Sequence, residues 1–151
     1  MKTQKTIQND QTHATVTLVC MDGRFAEAEA SIITPGFTPA PNFSAEGANR
    51  KFIVLADGKG SLVLAIGPVM GDNSYYHKDI LERVRGRFAG YSISGGGNVT
   101  ASWSTYEKKW SLKFGGSSGD FGVYDYRLLA KDVRAKVAEQ LGLVCRFEWH
   151  G

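Results

Sequence analysis

Two apolar, β-rich runs separated by a turn constrain the fold more than any other feature of this sequence. Residues 51–56 have the sequence KFIVLA, and residues 61–67 have the sequence SLVLAIG. The four residues between them are Asp57-Gly58-Lys59-Gly60, and Asp-Gly is a strong marker of a tight hairpin turn. Runs rich in Val, Ile, Leu and Phe that are bounded by such turns are typical of strands. The sequence therefore predicts a β-hairpin over residues 51–67.

A helix with a histidine in its opening turn is predicted over residues 71–88. Asp72, Asn73 and Ser74 are all good N-cap residues, and Ser74 as the N-cap would place His77 at the third helical position. Apolar side chains recur along one face at four-residue spacing, which is typical of an amphipathic helix. The members of this face are Tyr76, Ile80, Val84 and Phe88, with Leu81 beside them.

Two interpretations of His77 are open from its position alone. The partial positive charge of a helix N-terminus disfavours the charged form of a histidine there. A neutral histidine that faces backbone N–H groups fits a general base beside an anion site. The alternative is a histidine that packs at the helix end with its ring hydrogen-bonded to a neighbour.

Further strands and a second helix complete the predicted domain. Alternating or β-rich patterns occupy residues 91–94, 99–105, 110–114 and 143–149, and a helical pattern over 127–141 ends at Gly142. The order from Lys51 onward is β-β-α-β-β-β-α-β. We therefore expect the α/β class, of α+β type, with a single mixed β-sheet of about six strands packed with two main α-helices.

The first third of the chain is the least patterned. After Met1, residues 2–13 are polar with Ile7 as the one apolar residue, which is typical of a disordered segment. Residues 14–20 alternate well enough for a strand. Residues 34–50 hold three of the four prolines and resemble an extended linker. We expect residues 1–49 to form a partly disordered N-terminal extension, either a tail or one added strand, and residues 50–151 to form the domain. A chain that starts near Ala48 should then still fold.

Two glycine-rich stretches are candidates for backbone chemistry. Gly95-Gly96-Gly97 interrupts the strand patterns, as expected of a bulge, a turn or a place of close approach. Residues 115–122, GGSSGDFG, fit either a flexible connector or a nest of N–H groups that binds phosphate, with the Ser117 and Ser118 hydroxyls as further donors. Neither stretch is followed by the Gly-Lys-Ser/Thr of a P-loop.

Composition excludes several classes of function. A net charge of +3 suits an anionic ligand but is too small to predict nucleic-acid binding. His13, His77 and His150 lie far apart with no ligand spacing, so no metal site is predicted. Cys20 and Cys145 indicate free thiols in a reducing compartment. No apolar run has membrane-spanning length, and no signal peptide begins the chain, so we expect a cytoplasmic protein without membrane contact.

Lys51 is the best placed of the cationic residues. It begins a strand predicted to be buried, where its charge would lie at the edge of the sheet, whereas most lysines are solvated surface charges. The other candidates are Arg50, Lys108, Lys109, Lys113 and Arg127.

Several of these motifs, taken in order, resemble the small phosphohistidine phosphatase family, also called the Janus (Janus/Ocnus) family. They are KFIVLA, YYHKDILERV, SGGGNVTASWSTYEKKWSLKFGG, GGSSGDFG, DVRAK and the closing FEW, within residues 50–149. The resemblance implies a compact α/β domain that hydrolyses the P–N bond of phosphohistidine without metal or cofactor. It also implies phosphohistidine-containing proteins or peptides and phosphate as partners, and we expect a monomer.

The resemblance assigns roles to individual residues. It places the general base on His77, the substrate-binding lysine on Lys51, and the phosphate-binding loop on Ser117, Ser118 and Gly119. The chain departs from the family at Val69, where the family has an arginine, and at Gly116, where a tyrosine is usual in a loop one residue shorter. A non-catalytic phosphate- or phosphopeptide-binding module on the same fold is the alternative. A basic interaction surface with no phosphate site is a third possibility.

Overall fold

A single mixed β-sheet of seven strands organises the part of the chain that the structure describes. The computed structural model describes residues 15–22, 25, 29–33, 49–70, 75–106, 109–116, 118–119, 121–122 and 145–149. The strand order across the sheet is β2-β1-β4-β3-β5-β6-β7. The strands are β1 (Thr15–Asp22), β2 (Glu29–Ile33), β3 (Asn49–Ala56), β4 (Ser61–Val69), β5 (Ser92–Ser104), β6 (Lys109–Gly115) and β7 (Cys145–Trp149).

The predicted hairpin is confirmed as the antiparallel pair β3 and β4 near the centre of the sheet. Val54 lies opposite Leu64 in the register. The turn is closed by the Asp57 carboxylate, which accepts the backbone N–H groups of Lys59 at 2.7 Å and Ser61 at 2.9 Å. These bonds hold the pKa of Asp57 below its usual value, and the bond from Lys59 has the largest effect. The Asp-Gly turn therefore fixes the register of the two central strands.

The N-terminal third contributes two strands to the same sheet. β1 runs parallel to β4, with Val19 opposite Ala65, and β2 pairs antiparallel with β1. Leu18 and Val19 are fully buried. The strand predicted over residues 14–20 is confirmed as β1. The sequence patterns do not predict β2, because its first residues do not alternate between apolar and polar. The sheet therefore crosses the expected boundary between residues 49 and 50.

The helix α1 is shorter than the sequence pattern predicts and covers His77–Val84. Its N-cap is Tyr76 rather than Ser74, so His77 is the first helical residue and not the third. The physical reason is a pair of reciprocal bonds: the Asp79 carboxylate accepts the Tyr76 N–H at 2.7 Å, and the Tyr76 carbonyl accepts the Asp79 N–H at 2.9 Å. This pairing starts the helix at His77. The chain leaves the α-helix through a 3₁₀ turn at Arg85–Arg87.

The buried stripe of α1 begins at His77 instead of Tyr76. His77, Ile80 and Val84 are buried, whereas the Tyr76 side chain is 64% exposed. The prediction that Tyr76 belongs to the stripe is therefore wrong, since the later helix start turns it toward solvent. The stripe packs on one face of the sheet, against Val19, Ile53, Leu55, Val63 and Ala65.

The other face of the sheet is also buried. Phe52 and Phe114 meet edge to face there, with ring centroids 5.1 Å apart, and both are fully buried. The second predicted helix, residues 127–141, lies outside the described residues, so the expected two helices and six strands are not confirmed. What the structure shows is a mixed α+β fold with one sheet and, among the described residues, one α-helix. No helix in that part of the chain is long and apolar enough to cross a membrane.

Candidate functional site

His77 lies at the junction of α1 and β5. Its side chain is 5% exposed, and its Nε2 atom is 2.8 Å from the carbonyl oxygen of Gly97. A carbonyl oxygen only accepts hydrogen bonds, so this contact requires the proton on Nε2. In the neutral ring the lone pair then resides on Nδ1, and Nδ1 is the nitrogen that gains and loses a proton. The hydrogen bond to Gly97 thus fixes both the tautomer and the orientation of the ring.

The triple glycine provides the space for the His77 ring. β5 runs through Gly95–Gly97 without a break, so two separate strands at 91–94 and 99–105 were a wrong expectation. A register shift against β3 marks a bulge beside Gly95, whose φ of 133° favours glycine. A Cβ atom on Gly96 would lie 2.9 Å from Cδ2 of His77 and would also meet the Phe52 carbonyl. Of the alternatives that the sequence leaves open for these glycines, a bulge, a turn or a close approach, the structure shows the bulge and the close approach.

Lys51 lies on the same face of the sheet as His77. It pairs with Asn98, the residue after the triple glycine, across β3 and β5. Side chains alternate along a strand, so Lys51 shares a face with Ile53, which packs against α1. Its side chain is partly exposed, as expected of an ammonium group that can reach an anion. The structure therefore brings two of the predicted site residues, His77 at the start of α1 and Lys51 on β3, to the same face of the sheet.

The loop after β6 is fastened beside His77. The Gly122 carbonyl accepts the N–H of Gly96 at 3.3 Å and that of Ser118 at 3.1 Å, and the Gly122 N–H returns to the Ser118 carbonyl at 2.8 Å. Gly96 is the glycine under the His77 ring. The three predicted elements, the histidine, the triple glycine and the serine-glycine loop, therefore meet at one place.

Hydrogen bonds within this loop already use some of the N–H groups that the sequence predicts for phosphate binding. The Ser118 N–H is committed to Gly122, and the buried Ser118 Oγ accepts the N–H of Phe121 at 3.0 Å. Gly119 is exposed, and its N–H makes no hydrogen bond to another described residue. Ser117 lies outside the described residues.

Asn98 is a site residue to which no sequence pattern points. Its Oδ1 atom is buried and has no hydrogen-bond partner. Asn98 lies opposite both Lys51 and Gly115 in the register. A buried acceptor without a donor costs about 1–3 kcal/mol, and a ligand N–H at this position would remove that cost. The one available signal is that Asn98 directly follows the triple glycine.

Tyr75 is the second residue near the site for which the sequence patterns predict no role. Its hydroxyl donates to the Pro68 carbonyl at 2.6 Å and accepts the Lys51 N–H at 3.1 Å. The ring is buried and stacks on Phe25, with centroids 4.7 Å apart. Burial raises the pKa of Tyr75 to about 12.

The other cationic candidates lie at different positions. Arg50 is 2% exposed, and its Nη1 donates to the carbonyls of Met21 at 3.1 Å and Gly67 at 3.0 Å, so it acts in the interior. Lys113 is exposed on β6, opposite Thr100, and lies one pair further along the face that carries Lys51 and Asn98. Arg127 and Lys108 are outside the described residues. Val69 ends β4 opposite Arg50 and brings no charge.

Among the described residues, no group of three or more His, Cys, Asp and Glu side chains is arranged to hold a metal ion. Comparison with known proteins adds no further assignment, because no family model and no curated protein matches the chain. The function is therefore inferred from the geometry around His77 and from the motifs.

Proposed function

We propose that this protein is a metal-independent protein histidine phosphatase that hydrolyses the P–N bond of phosphohistidine, with His77 as the general base. The observation that carries the proposal is the hydrogen bond between Nε2 of His77 and the Gly97 carbonyl. This bond orients the buried ring and leaves Nδ1 as its basic nitrogen. The ring lies at a helix start, where positive partial charge favours the neutral form of the histidine. Two further observations support the proposal: Lys51 pairs with Asn98, two residues after the Gly96 that lies against this ring, and the Ser118–Gly122 loop is hydrogen-bonded to Gly96.

The proposed reaction is a single displacement at phosphorus. Water attacks the phosphoryl group while Nδ1 of His77 takes one of its protons. The P–N bond breaks, its electron pair remains on the leaving imidazole nitrogen, and that nitrogen takes a proton from solvent while the charged His77 ring returns its proton to solvent, so that the products are phosphate and histidine. The P–N bond is labile, so positioning of the water and stabilisation of charge provide the catalysis in this proposal.

The phosphoryl oxygens need donors, and the site offers a small set of them. Lys51 supplies a compact positive charge, and the Ser118 hydroxyl and Gly119 N–H supply hydrogen bonds. Ser117 joins this set through the family resemblance alone. Because the Ser118 N–H is bonded within the loop, the proposal assigns that residue a side-chain role rather than a backbone one.

The direct test is phosphate release from a phosphohistidine peptide in the presence of a chelator. The wild type should release phosphate at a rate that saturates with peptide, and His77→Ala should not. Tyr106→Ala is the control, since Tyr106 is 96% exposed. A wild type that releases no phosphate above the spontaneous rate would rule the proposal out.

We also propose that the protein acts as a monomer in the cytoplasm.

Binding without hydrolysis is the second candidate function, and Val69 favours it. An apolar side chain stands where the resembled family has an arginine, so the site has one cation fewer to offset the charge that develops during displacement. A phosphopeptide-binding module needs Lys51 and the loop but no base. Tight binding of a non-hydrolysable phosphohistidine analogue, equal in the wild type and in His77→Ala and without any turnover, would select this function.

A further inference from the structure

We propose that Tyr75 is a positioning residue, whose buried hydroxyl sets the place of Lys51 relative to His77. The inference rests on the proposed function for its catalytic readout, but its geometric basis is independent of it. The hydroxyl joins three segments: β3 through the Lys51 N–H, β4 through the Pro68 carbonyl, and α1 through Tyr76, the one residue that separates Tyr75 from His77.

The hydroxyl occupies a gap in the sheet. Regular pairing between β3 and β4 is interrupted at Lys51, because Arg50 lies opposite Val69 while Phe52 lies opposite Ile66. A strand residue at such an irregularity has no regular ladder partner on that side. The Lys51 N–H is instead satisfied by Tyr75 Oη. A side chain from the start of the helix thus replaces a sheet hydrogen bond at the substrate-binding residue.

The Tyr75 ring has little freedom to move. Phe25 stacks on it almost parallel, with an interplanar angle of 10°. On the sheet side the ring lies against Gly67, where a Cβ atom would come within 2.8 Å of the ring carbons. The Gly67 carbonyl is in turn held by Arg50 Nη1. The link between Lys51 and the His77 helix is therefore rigid at both ends.

A hydroxyl held in this way acts on the reaction through Lys51. Without it the Lys51 N–H and the Pro68 carbonyl lose their partner, and the irregular segment can relax. The Lys51 ammonium then shifts with respect to Nδ1 of His77, while the His77–Gly97 bond stays intact. A displacement of about 1 Å at a catalytic site costs on the order of 100-fold in rate.

The experiment is a double-mutant cycle with Tyr75→Phe and Lys51→Ala. Tyr75→Phe keeps the ring and removes only the hydroxyl, and kcat/KM should fall roughly 10- to 100-fold with its pH midpoint unchanged. In the Lys51→Ala background the same change should cost less than threefold, because the group that it positions is gone. Tyr91→Phe is the matched control, since it removes the hydroxyl of another tyrosine, one that packs on Phe88 after the helix.

A second control variant and a hydrogen-exchange measurement separate positioning of Lys51 from general destabilisation. Leu64→Val reduces packing on the opposite face of the sheet and controls for lost stability. Hydrogen exchange of the Lys51 amide should accelerate in Tyr75→Phe and not in Leu64→Val. Costs that add across the cycle, or an unchanged Lys51 exchange rate in Tyr75→Phe, would overturn the inference.

The cycle also distinguishes failure of the proposed function from failure of this inference. If the wild type releases no phosphate from phosphohistidine, the proposed function falls, and the same cycle is measured on the affinity for inorganic phosphate. Weaker binding in Tyr75→Phe that disappears in the Lys51→Ala background supports the positioning role. Equal weakening in both backgrounds refutes it.

Discussion

His77 owes its properties to two neighbours that are far apart in the chain. Asp79 fixes the start of α1, and the carbonyl of Gly97, 20 residues away in the chain, accepts a hydrogen bond from Nε2–H of the ring. The sequence patterns predict a histidine at a helix start because N-cap residues and apolar spacing are local. They do not predict the partner of the ring, because a carbonyl in a distant strand leaves no mark on side-chain types.

We expect kcat/KM to rise with pH as His77 loses its proton, since only the neutral ring accepts a proton from water. His77→Ala should lose roughly 100- to 10,000-fold in rate, and His77→Asn should be nearly as impaired, because an amide can hold a water but not deprotonate it. Steady-state rates between pH 5 and 8 check this. A variant that keeps a tenth of the wild-type rate would leave His77 a structural role only.

Lys51 should contribute mainly to binding of the phosphoryl group. Lys51→Ala is expected to weaken affinity for phosphate, and Lys51→Arg should restore it only in part, since a planar guanidinium does not reproduce a compact ammonium. Calorimetric titration with inorganic phosphate measures both, with Lys59→Ala in the exposed hairpin turn as the control. Equal affinities in all the proteins would move the assignment to Lys113.

Tyr75 should make stability fall at high pH. Its pKa is about 12 in the folded protein and about 10 in an unfolded chain, so the unfolded state loses the proton first as pH rises. The contribution is complete below pH 10 and declines up to about pH 12, by about 2–3 kcal/mol. The positive charge of nearby Arg50 acts in the opposite direction and is smaller than the effect of burial. Denaturant unfolding at pH 9 to 12 should show a shallower decline for Tyr75→Phe than for Tyr91→Phe.

At the scale of elements, the site depends on how closely α1 approaches β5. The hairpin β3–β4 is predictable because Asp57-Gly58 is a local turn signal and both strands are apolar throughout. The start of α1 is not, because Asp79 pairs with Tyr76 although Ser74 is the stronger N-cap candidate in the sequence. The continuity of β5 is not, because it results from the contact of its glycines with the His77 ring. Glycine normally weakens a strand, and here it is required by a ring that arrives from another segment.

Substitution at Gly96 tests that approach. Gly96→Ala would place a Cβ atom 2.9 Å from Cδ2 of His77, so we expect a loss of about 1–3 kcal/mol in the free energy of unfolding. Activity should fall by more than tenfold as the ring is displaced. Gly86→Ala is the matched control, since no atom lies within 4 Å of the added methyl group and its φ is ordinary. Thermal unfolding and phosphate release check both, and equal behaviour of the two variants would contradict the close approach.

At the scale of the molecule, the N-terminal strands belong to the domain. The structure argues against the expectation that a chain starting near Ala48 folds, because such a chain would lack β1. The edge of β4 would then be unpaired, and the buried side chains of Leu18 and Val19 would be missing. Unpaired apolar edges promote aggregation. We expect such a chain to be insoluble or to melt at least several degrees lower, whereas a chain that starts at Ala14 should match the full-length protein. Equal melting of all three proteins would show that β1 is dispensable.

The parallel pairing of β1 with β4 also bears on the order in which the strand pairs are expected to form during folding. β1 and β2 are neighbours in sequence and can pair as soon as residue 33 is available, and the same holds for β3 with β4 and for β5 with β6. The β1–β4 contact joins residues 46 apart, such as Val19 and Ala65, and closing so long a loop is slow. The β3–β5 pairing that carries the site around His77 spans a similar separation, as between Lys51 and Asn98. We therefore expect the hairpins to form first and both long-range pairings, with the site, to be completed later.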